Sequence, residues 1–520
     1  MSSLLALPDE VLKLVLQTVP VKHRLSSCCL VNKRLHAAAV AATQDLQLSF
    51  GEEPEQIRFA HEDSFLQWLP IYGQHLTRLA LGKSQQPLQQ LPCPALLELK
   101  LLSCAGGDDP YLDLDDLEDR RPCRVQLGAA DGHPGVIQGC SNLTRLELQC
   151  DIIDAPKGAV IDSFSSLVHL QHLDVLVAKP SSAAGNEDPG VKLYRSGGLS
   201  SATLPRLQHL THLLSCLSVD NLLQLGDLTR LQQLAFAVPP QQQQWVARAI
   251  TFGPSSVPGL VFPASLTSLT ICSEVDTGVL SLVPTGLSSL RLQCVIEGPA
   301  EGPGLLLSYM SGLQCLTQLS LNCWTGVNWP PPSAAYSALT ASSNLADLGL
   351  RVPNLPKGVW PHIFPTARKL PHLTRLVLEQ LDADVEDSVL WGTDDVCSLV
   401  SCCPNLHAII DISPEYGRHV SQLHGLSALT SLHVWFPTID SYADDFEESL
   451  EGLAVVTQLR SLHITMYGGG NGMTSFLPLT SLIALTHLEY TSRDEGYDDG
   501  NEVGVWQYMD FNLKTLVSLS

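Results

Sequence analysis

Leu373-Thr374-Arg375-Leu376-Val377-Leu378 is one copy of a phrase, L-x-x-L-x-L, that runs through most of this chain. Copies begin at Leu76, Leu96, Leu143, Leu170, Leu231, Leu266, Leu287, Leu316, Leu345, Leu373, Leu429, Leu459 and Leu485, with Val, Ile, Phe or Tyr allowed in the last slot. Incomplete copies begin at Leu210, Leu406 and Leu513. From residue 266 onward the first leucines step by 21, 29, 29, 28, 33, 23, 30, 26 and 28 residues. Such steps centre on the period of a stacked repeat made of one short strand and its return crossover. Alternate side chains of a strand face opposite ways, so the second and third leucines point to one side and the residues between them to the other. One unit cannot bury its own leucines, but stacked units can. The pattern therefore predicts an α/β solenoid with a parallel sheet along one wall and crossovers along the opposite wall. Residues 63–75, 396–405 and 447–458 carry apolar residues at helical spacing and read as partly helical crossovers. The Pro-containing stretch 328–344 reads as a loop or short turns.

The composition agrees. Ninety-two of the 520 residues are leucine, and charged residues make up 16%, against about 25% in an average globular protein. The 30 basic and 53 acidic side chains leave a formal charge of −23. Phosphate contacts need clustered Lys and Arg, so neither a nucleic acid nor an anionic membrane is an expected partner. Asp9, Glu10 and Lys13 interrupt an apolar start that would otherwise resemble a signal peptide, and no apolar run reaches about 18 residues. The expected location is cytoplasmic and/or nuclear. Fifteen cysteines, an odd number without a C-x-x-C pair, fit free buried thiols better than a disulfide framework or zinc ribbon. No P-loop, G-x-S-x-G or H-E-x-x-H motif is present, and the Gly-rich 468–472 lacks the Lys and helix of a phosphate loop. His169/His172 and His209/His212 have metal-like spacing, but they sit at repeat phrases and read as outward surface histidines. No catalytic residue, metal ligand or cofactor is expected.

The stretches 399–410 (LVSCCPNLHAII) and 91–104 (LPCPALLELKLLSC) resemble the leucine-rich-repeat family, particularly its cysteine-containing type. The resemblance covers roughly residues 76–520, about 15 to 17 units, interrupted near 105–122 by an acidic insertion read as a solvated loop. It implies a horseshoe with the sheet on the concave face. In the family the ninth position holds an Asn or Cys that bonds the turn backbone. Cys104 fits, whereas Asp151, Glu274, Trp324, Pro353 and Pro437 depart from it.

The first 45 residues differ in charge. Lys13, Lys22, Arg24, Lys33 and Arg34 against Asp9, Glu10 and Asp45 make this segment +2, leaving −25 for the remainder. Pro8 suits a first helical position, and Asp9 and Glu10 complement the positive end of the helix dipole. Val11, Leu12, Val15, Leu16 and Val19 then lie on one apolar face before Pro20. Shorter helices are expected near Lys22–Leu30 and Asn32–Thr43, with Asn32 as an N-cap. The organisation is thus a helical domain at 1–45, a linker and lead-in at 46–75, and repeats at 76–520. The leading segment resembles an F-box on Leu7, Pro8, Glu10, Val11, Leu12, Val15, Leu16, Leu30, Val31, Lys33 and Arg34. It departs from that pattern at Thr18, Asn32 and Leu35.

The resemblance implies a non-catalytic substrate receptor of an SCF-type cullin-RING ubiquitin ligase. In that role the F-box docks on a Skp-family adaptor, and through it a cullin, by Leu7, Pro8, Glu10, Val11, Leu12, Val15, Leu16, Leu30 and Val31, while the repeats hold a protein target. The alternative is a leucine-rich-repeat scaffold with no link to ubiquitin. For the target, outward strand positions offer Arg78, Arg145, His172, Arg375 and His487 at position three and Glu147, Asp174, Arg291, His433, His463 and Glu489 at position five, with Trp435, Phe436 and Met466 following. Strands about 4.8 Å apart would set His433, His463 and Glu489 in one lateral row. The last phrase, at 513–519, would leave an uncapped sheet edge unless another surface covers it.

Overall fold

The computed structural model describes residues 8–17, 19, 33–49, 65–71, 73–82, 91, 93–102, 124–125, 137, 139–149, 151–152, 164, 166–176, 203–237, 260–296, 305–322, 324–325, 332–351, 358–378, 391–412, 417–436, 450–467, 477–494 and 505–511. The chain divides into two compact units, residues 1–246 with 257–266, and residues 247–256 with 267–520.

The first unit opens with helices α1 (Asp9–Gln17) and α2 (Lys33–Ala42). Leu12 and Leu16 of α1 pack with Leu35, Ala38, Ala39 and Ala42 of α2. Strands β1 (Asp45–Ser49), β2 (Arg78–Gly82), β3 (Glu98–Leu102), β4 (Arg124–Val125), β5 (Arg145–Gln149), β6 (Asp151–Ile152), β7 (His172–Leu176), β8 (His212–Cys216) and β9 (Gln233–Ala237) follow. β4 and β6 pair with each other in a separate two-stranded sheet. The remaining seven form one parallel ladder in the order β1, β2, β3, β5, β7, β8, β9.

β1 lies in residues that the phrase alone assigns to a linker. Asp45↔Arg78 and Leu46↔Leu79 set its register, so Thr43 stands where the first leucine of a phrase would be. Thr43 is buried, and its hydroxyl donates to the Ala39 carbonyl at 2.9 Å. A hydroxyl there satisfies a carbonyl of the last turn of α2, which a leucine could not do. The ladder thus grows directly from the helical domain.

The second unit holds β10 (Ser268–Asp276), β11 (Ser289–Ile296), β12 (Gln318–Asn322), β13 (Trp324–Thr325), β14 (Asp347–Arg351), β15 (Arg375–Leu378), β16 (Ala408–Ile412), β17 (Ser431–Phe436), β18 (Ser461–Tyr467), β19 (His487–Asp494) and β20 (Val505–Phe511). The register is set by the phrase: Leu269, Leu290, Leu319, Leu348, Leu376, Ile409, Leu432, Leu462 and Leu488 lie side by side across nine strands, all buried. β20 then pairs antiparallel with β19, from Leu488↔Phe511 to Asp494↔Val505. The far edge of β19 is therefore hydrogen-bonded rather than open, and the sheet is not parallel throughout.

Crossovers are helical where sequence spacing predicts it, at residues 65–71, α5 (Thr393–Cys402) and 450–454; α3 (Leu305–Gly312) and α4 (Trp360–Ile363) precede α5 in the chain. The stretch read as a loop or short turns at 328–344 contains a 3-10 helix, Ser333–Thr340, with Pro332 just ahead of it. Proline is compatible with the start of a helical segment because its missing N–H would have no partner there. Trp360 and Trp391 stack with ring centroids 4.1 Å apart and fill the space beside Phe364. Of the ninth-position departures, Glu274 lies in β10 and Trp324 in β13, so the backbone stays extended there. The acidic insertion at 105–122 and the phrase at Leu513 lie outside the described residues, as do Cys104, Pro353 and Pro437. Seven described cysteines are free thiols; Cys93, Cys140, Cys402 and Cys403 are buried, whereas Cys315 and Cys397 are exposed.

A second row of residues ties the units of each ladder together. The residue after the first leucine of a phrase is often Thr or Ser, and its hydroxyl donates to the equivalent carbonyl one repeat earlier. Thr77 donates to Gln44, Thr144 to Leu97 and Thr211 to Gln171, each at 3.0 Å. Ser288 donates to Thr267 at 2.8 Å, Thr317 to Ser288 at 3.0 Å and Thr486 to Arg460 at 3.0 Å. The Ser288 carbonyl also accepts the backbone N–H groups of Thr317 and Gln318. Thr317→Val keeps the β-branched shape and deletes only the hydroxyl donor. Because two donors remain on that carbonyl, the expected loss in urea-melt stability is about 0.5–1 kcal/mol.

Candidate functional site

The sites that could recognise partners are the outer face of the helical domain and the outward faces of the two ladders. On α1 the sequence predicts a single apolar face, and the structure divides it. Leu12 and Leu16 are buried against α2, whereas Val11 and Val15, one turn apart, are 41% and 37% exposed. Arg34 on α2 reaches Asp9 at the start of α1, with its Nε at 2.7 Å and Nη2 at 2.6 Å from Oδ1. Pro8 is exposed and its carbonyl accepts the Leu12 N–H at 2.9 Å, so helical residues begin one position later than the sequence suggests. Glu10 lies in α1. Leu7, Leu30 and Val31 lie outside the described residues, as does the expected helix at 22–30.

On the second unit, β17, β18 and β19 set His433, His463 and Glu489 side by side. The two imidazoles stack with centroids 3.9 Å apart and planes 1° from parallel. His433 Nε2 lies 2.9 Å from the Thr465 hydroxyl, and His463 Nε2 lies 3.1 Å from that of Thr491. Glu489 Oε2 lies 3.8 Å from His463 Nδ1 and 3.6 Å from His487 Nε2. Trp435 follows buried Val434, so strand alternation puts it on the face of His433, where it is half-buried beside Thr465. Phe436 pairs with Met466 in the backbone register. Arg375 is exposed and paired with Asp347 at 3.2 Å, two strands away from His433. Arg291, on β11, is five strand steps from His433, about 24 Å at the usual spacing, and does not join that row.

A denser polar cluster lies on the first unit, where the phrase places Arg78, Arg145, His172, Glu147 and Asp174 outward but does not show which of them meet. Position five of successive repeats gives Ala80, Lys100, Glu147, Asp174, Leu214 and Ala235 in one lateral row; position three gives Arg78, Glu98, Arg145, His172, His212 and Gln233. Glu147, only 8% exposed, accepts Lys100 at 2.8 Å and Arg145 Nε at 2.6 Å, and pairs with Arg145 Nη2. Burial opposes its charge, but the hydrogen bonds and charges of Lys100 and Arg145 outweigh burial and hold its carboxyl below the usual range. His172 stacks on His212 at 3.9 Å, and His212 Nδ1 lies 2.7 Å from Gln233 Oε1. Burial, then the neighbouring His212, push His172 down to about 4, and burial also lowers His212. The pair is therefore neutral near pH 7.

Asp174 has the opposite shift. Burial, then the charge of Glu147, push it up to about 7 despite Arg145 and Lys100. Its Oδ1 is buried without a hydrogen-bond partner among the described residues. Legible signals for this cluster existed at Lys100, in the third-to-fifth positions of the phrase at Leu96, and at His212, in the incomplete phrase at Leu210. What no single phrase shows is that strands from separated repeats place these residues in contact. Among the described residues no group of three or more His, Cys, Asp or Glu is placed to hold a metal ion, and no helix is long and apolar enough to cross a membrane.

Comparison with known proteins bears on the two parts separately. The F-box domain family matches residues 4–40. No curated protein matches the chain in sequence. A leucine-rich-repeat protein of Leptospira interrogans superposes with a TM-score of 0.35 at 14% identity, over 85% of this chain and 91% of that one. The TLR13–ssRNA13 complex superposes at 0.38 and 15% identity, over 80% of this chain and 54% of that one. At those TM-scores neither likeness carries the argument, and the repeat fold rests on the strand ladders themselves. F-box domains and leucine-rich repeats are both generally interaction modules. The chain thus joins an F-box domain to ladders of stacked leucine-rich repeats.

Proposed function

We propose that this protein is the substrate-recognition subunit of an SCF-type cullin-RING ubiquitin ligase, with the F-box gripping a Skp-family adaptor and the outward strand faces holding a protein target. The observation that carries the reading is the exposed Val11–Val15 pair on an α1 whose other face is buried within the F-box match. An apolar pair one helical turn apart, on a domain too small to cover it, fits a helix that docks in a partner's groove. The receptor does no covalent chemistry of its own. It raises the target's local concentration beside a ubiquitin-loaded enzyme. The cytoplasm and nucleus, where such ligases act, are the compartments this reading implies.

For the target we assign the row His433, His463 and Glu489 together with His487 and Trp435, where an aromatic surface lies among polar groups, the composition of an interface anchor. The test is recovery of bound proteins from cells with the wild-type chain and with a Trp435→Ala, His463→Ala double variant. The expected result is that both chains bring down the adaptor and cullin while the variant loses one or more other proteins. Adaptor absent from both would remove the ligase reading. An unchanged set of proteins would remove this patch.

A further inference from the structure

Asp174 is a carboxyl placed on the outward sheet face without a cation of its own. The two nearby cations, Lys100 and Arg145, are both taken by Glu147. Across the strand on its other side the row turns apolar, with Leu214 and then Ala235 in register, both half-exposed. On the position-three side the neutral His172–His212 stack closes the space, with His212 held by Gln233. The Asp174 side chain is half-buried, and its buried Oδ1 has no hydrogen-bond partner among the described residues. The result is an acceptor at the border between a neutralised ion network and an apolar shelf.

We propose that this border is a subsite for a lysine or arginine side chain of the protein target, its head on the Asp174 carboxylate and its aliphatic stem along Leu214 and Ala235. Long basic side chains lay their methylene stems on apolar surface while keeping the charged head at a polar group, and that division of chemistry matches the row. A cation at the accessible side of this half-buried carboxyl also supplies a charge and a hydrogen-bond donor, which no apolar occupant could do. The chain's net charge of −23 draws basic partners toward it from a distance, whereas the subsite decides where one basic group settles. This inference rests on the reading of the ladder as a target-holding surface and names the chemistry of that target.

The groups facing Asp174 fix the pH behaviour. Glu147 is held ionised by its pairing with Lys100 and Arg145, while His172 and His212 are uncharged in the neutral range. Asp174, with its carboxyl held up near 7, is the group that changes. A cation needs the ionised form, so binding should weaken as pH falls from 8 to 6, the proton and the cation competing for one carboxylate.

The test uses the full chain and two fluorescein-labelled 12-residue peptides, one alternating lysine with leucine and one with norleucine in place of lysine, read by fluorescence anisotropy at 0.15 M salt. The lysine peptide should bind at least tenfold more tightly than the norleucine peptide. Asp174→Asn, which keeps shape and hydrogen-bonding capacity but removes the charge, should weaken lysine-peptide binding at least tenfold and abolish the pH dependence. Leu214→Lys supplies a cation from within the chain beside Asp174 and should likewise block the peptide, so the outcome does not hang on one variant. Lysine-peptide binding unchanged in both variants would overturn the subsite and leave only diffuse attraction to an acidic chain. Adaptor co-purification, measured on the same variants, should be unaffected; its loss in the wild-type chain would instead strike at the ligase reading and leave the subsite standing.

Discussion

Leu319→Ala is expected to lower the unfolding free energy of the second unit by about 2–5 kcal/mol, the range for deleting a buried leucine side chain. Leu319 is 2% exposed and lies between Leu290 and Leu348 on the strands to either side. Removing its isobutyl group leaves a void whose walls belong to neighbouring repeats, and a parallel ladder held in register on both sides cannot close around it without shifting two strands. In a repeat array stability is close to a sum of unit and interface terms, so the loss should fall on both interfaces of β12 at once. Urea unfolding followed by tryptophan fluorescence measures it. A change below about 1 kcal/mol would mean the inward row is not a shared core. The exposed neighbour Gln318→Ala, on the same strand, should change stability by no more than about 0.5 kcal/mol.

Val11→Asp combined with Val15→Asp is expected to abolish co-purification of a Skp-family adaptor, a loss of at least a hundredfold in affinity, about 2.7 kcal/mol. Two charges would be carried into an apolar contact with no cation in α1 to meet them except Lys13, which is on neither side of the Val11–Val15 stripe at the required spacing. The domain itself should persist, since Leu12 and Leu16 keep their packing against Leu35, Ala38, Ala39 and Ala42. Adaptor retained at wild-type levels by a folded variant would place the docking surface elsewhere and revive the plain scaffold alternative. Leu12→Asp would be uninformative by comparison, because a charge at a buried position unfolds the helix pair before it reports on docking.

The strand phrase was sufficient for the core of both ladders because its information is local. Alternation decides which leucines go inward, and a fixed step between copies decides that they stack. β1 was illegible for the same reason: its first position is Thr43, whose role as a partner for the Ala39 carbonyl depends on the helix before it. The threonine ladder is written in the sequence as a recurrent Leu-Thr pair, yet its meaning requires knowing that a hydroxyl in one repeat meets a carbonyl some 20 to 40 residues earlier. On α1 the 3.6-residue period identified the apolar positions but not their division, since Val11 and Leu12 differ only in what lies opposite them.

The amino-acid order alone determined the repeat class, the helical head, the outward position of His433, His463 and Glu489, and the acidic balance that sets which partners approach. Tertiary structure alone decided the ion network on the first ladder. Glu147 and Asp174 occupy the same position of successive phrases, but one stands beside Lys100 and Arg145 and the other beside Leu214. Two like side chains therefore acquire opposite shifts, because the field at a carboxyl is set by what neighbouring strands bring within a few ångströms and by how much water remains, and neither quantity is written in a single repeat.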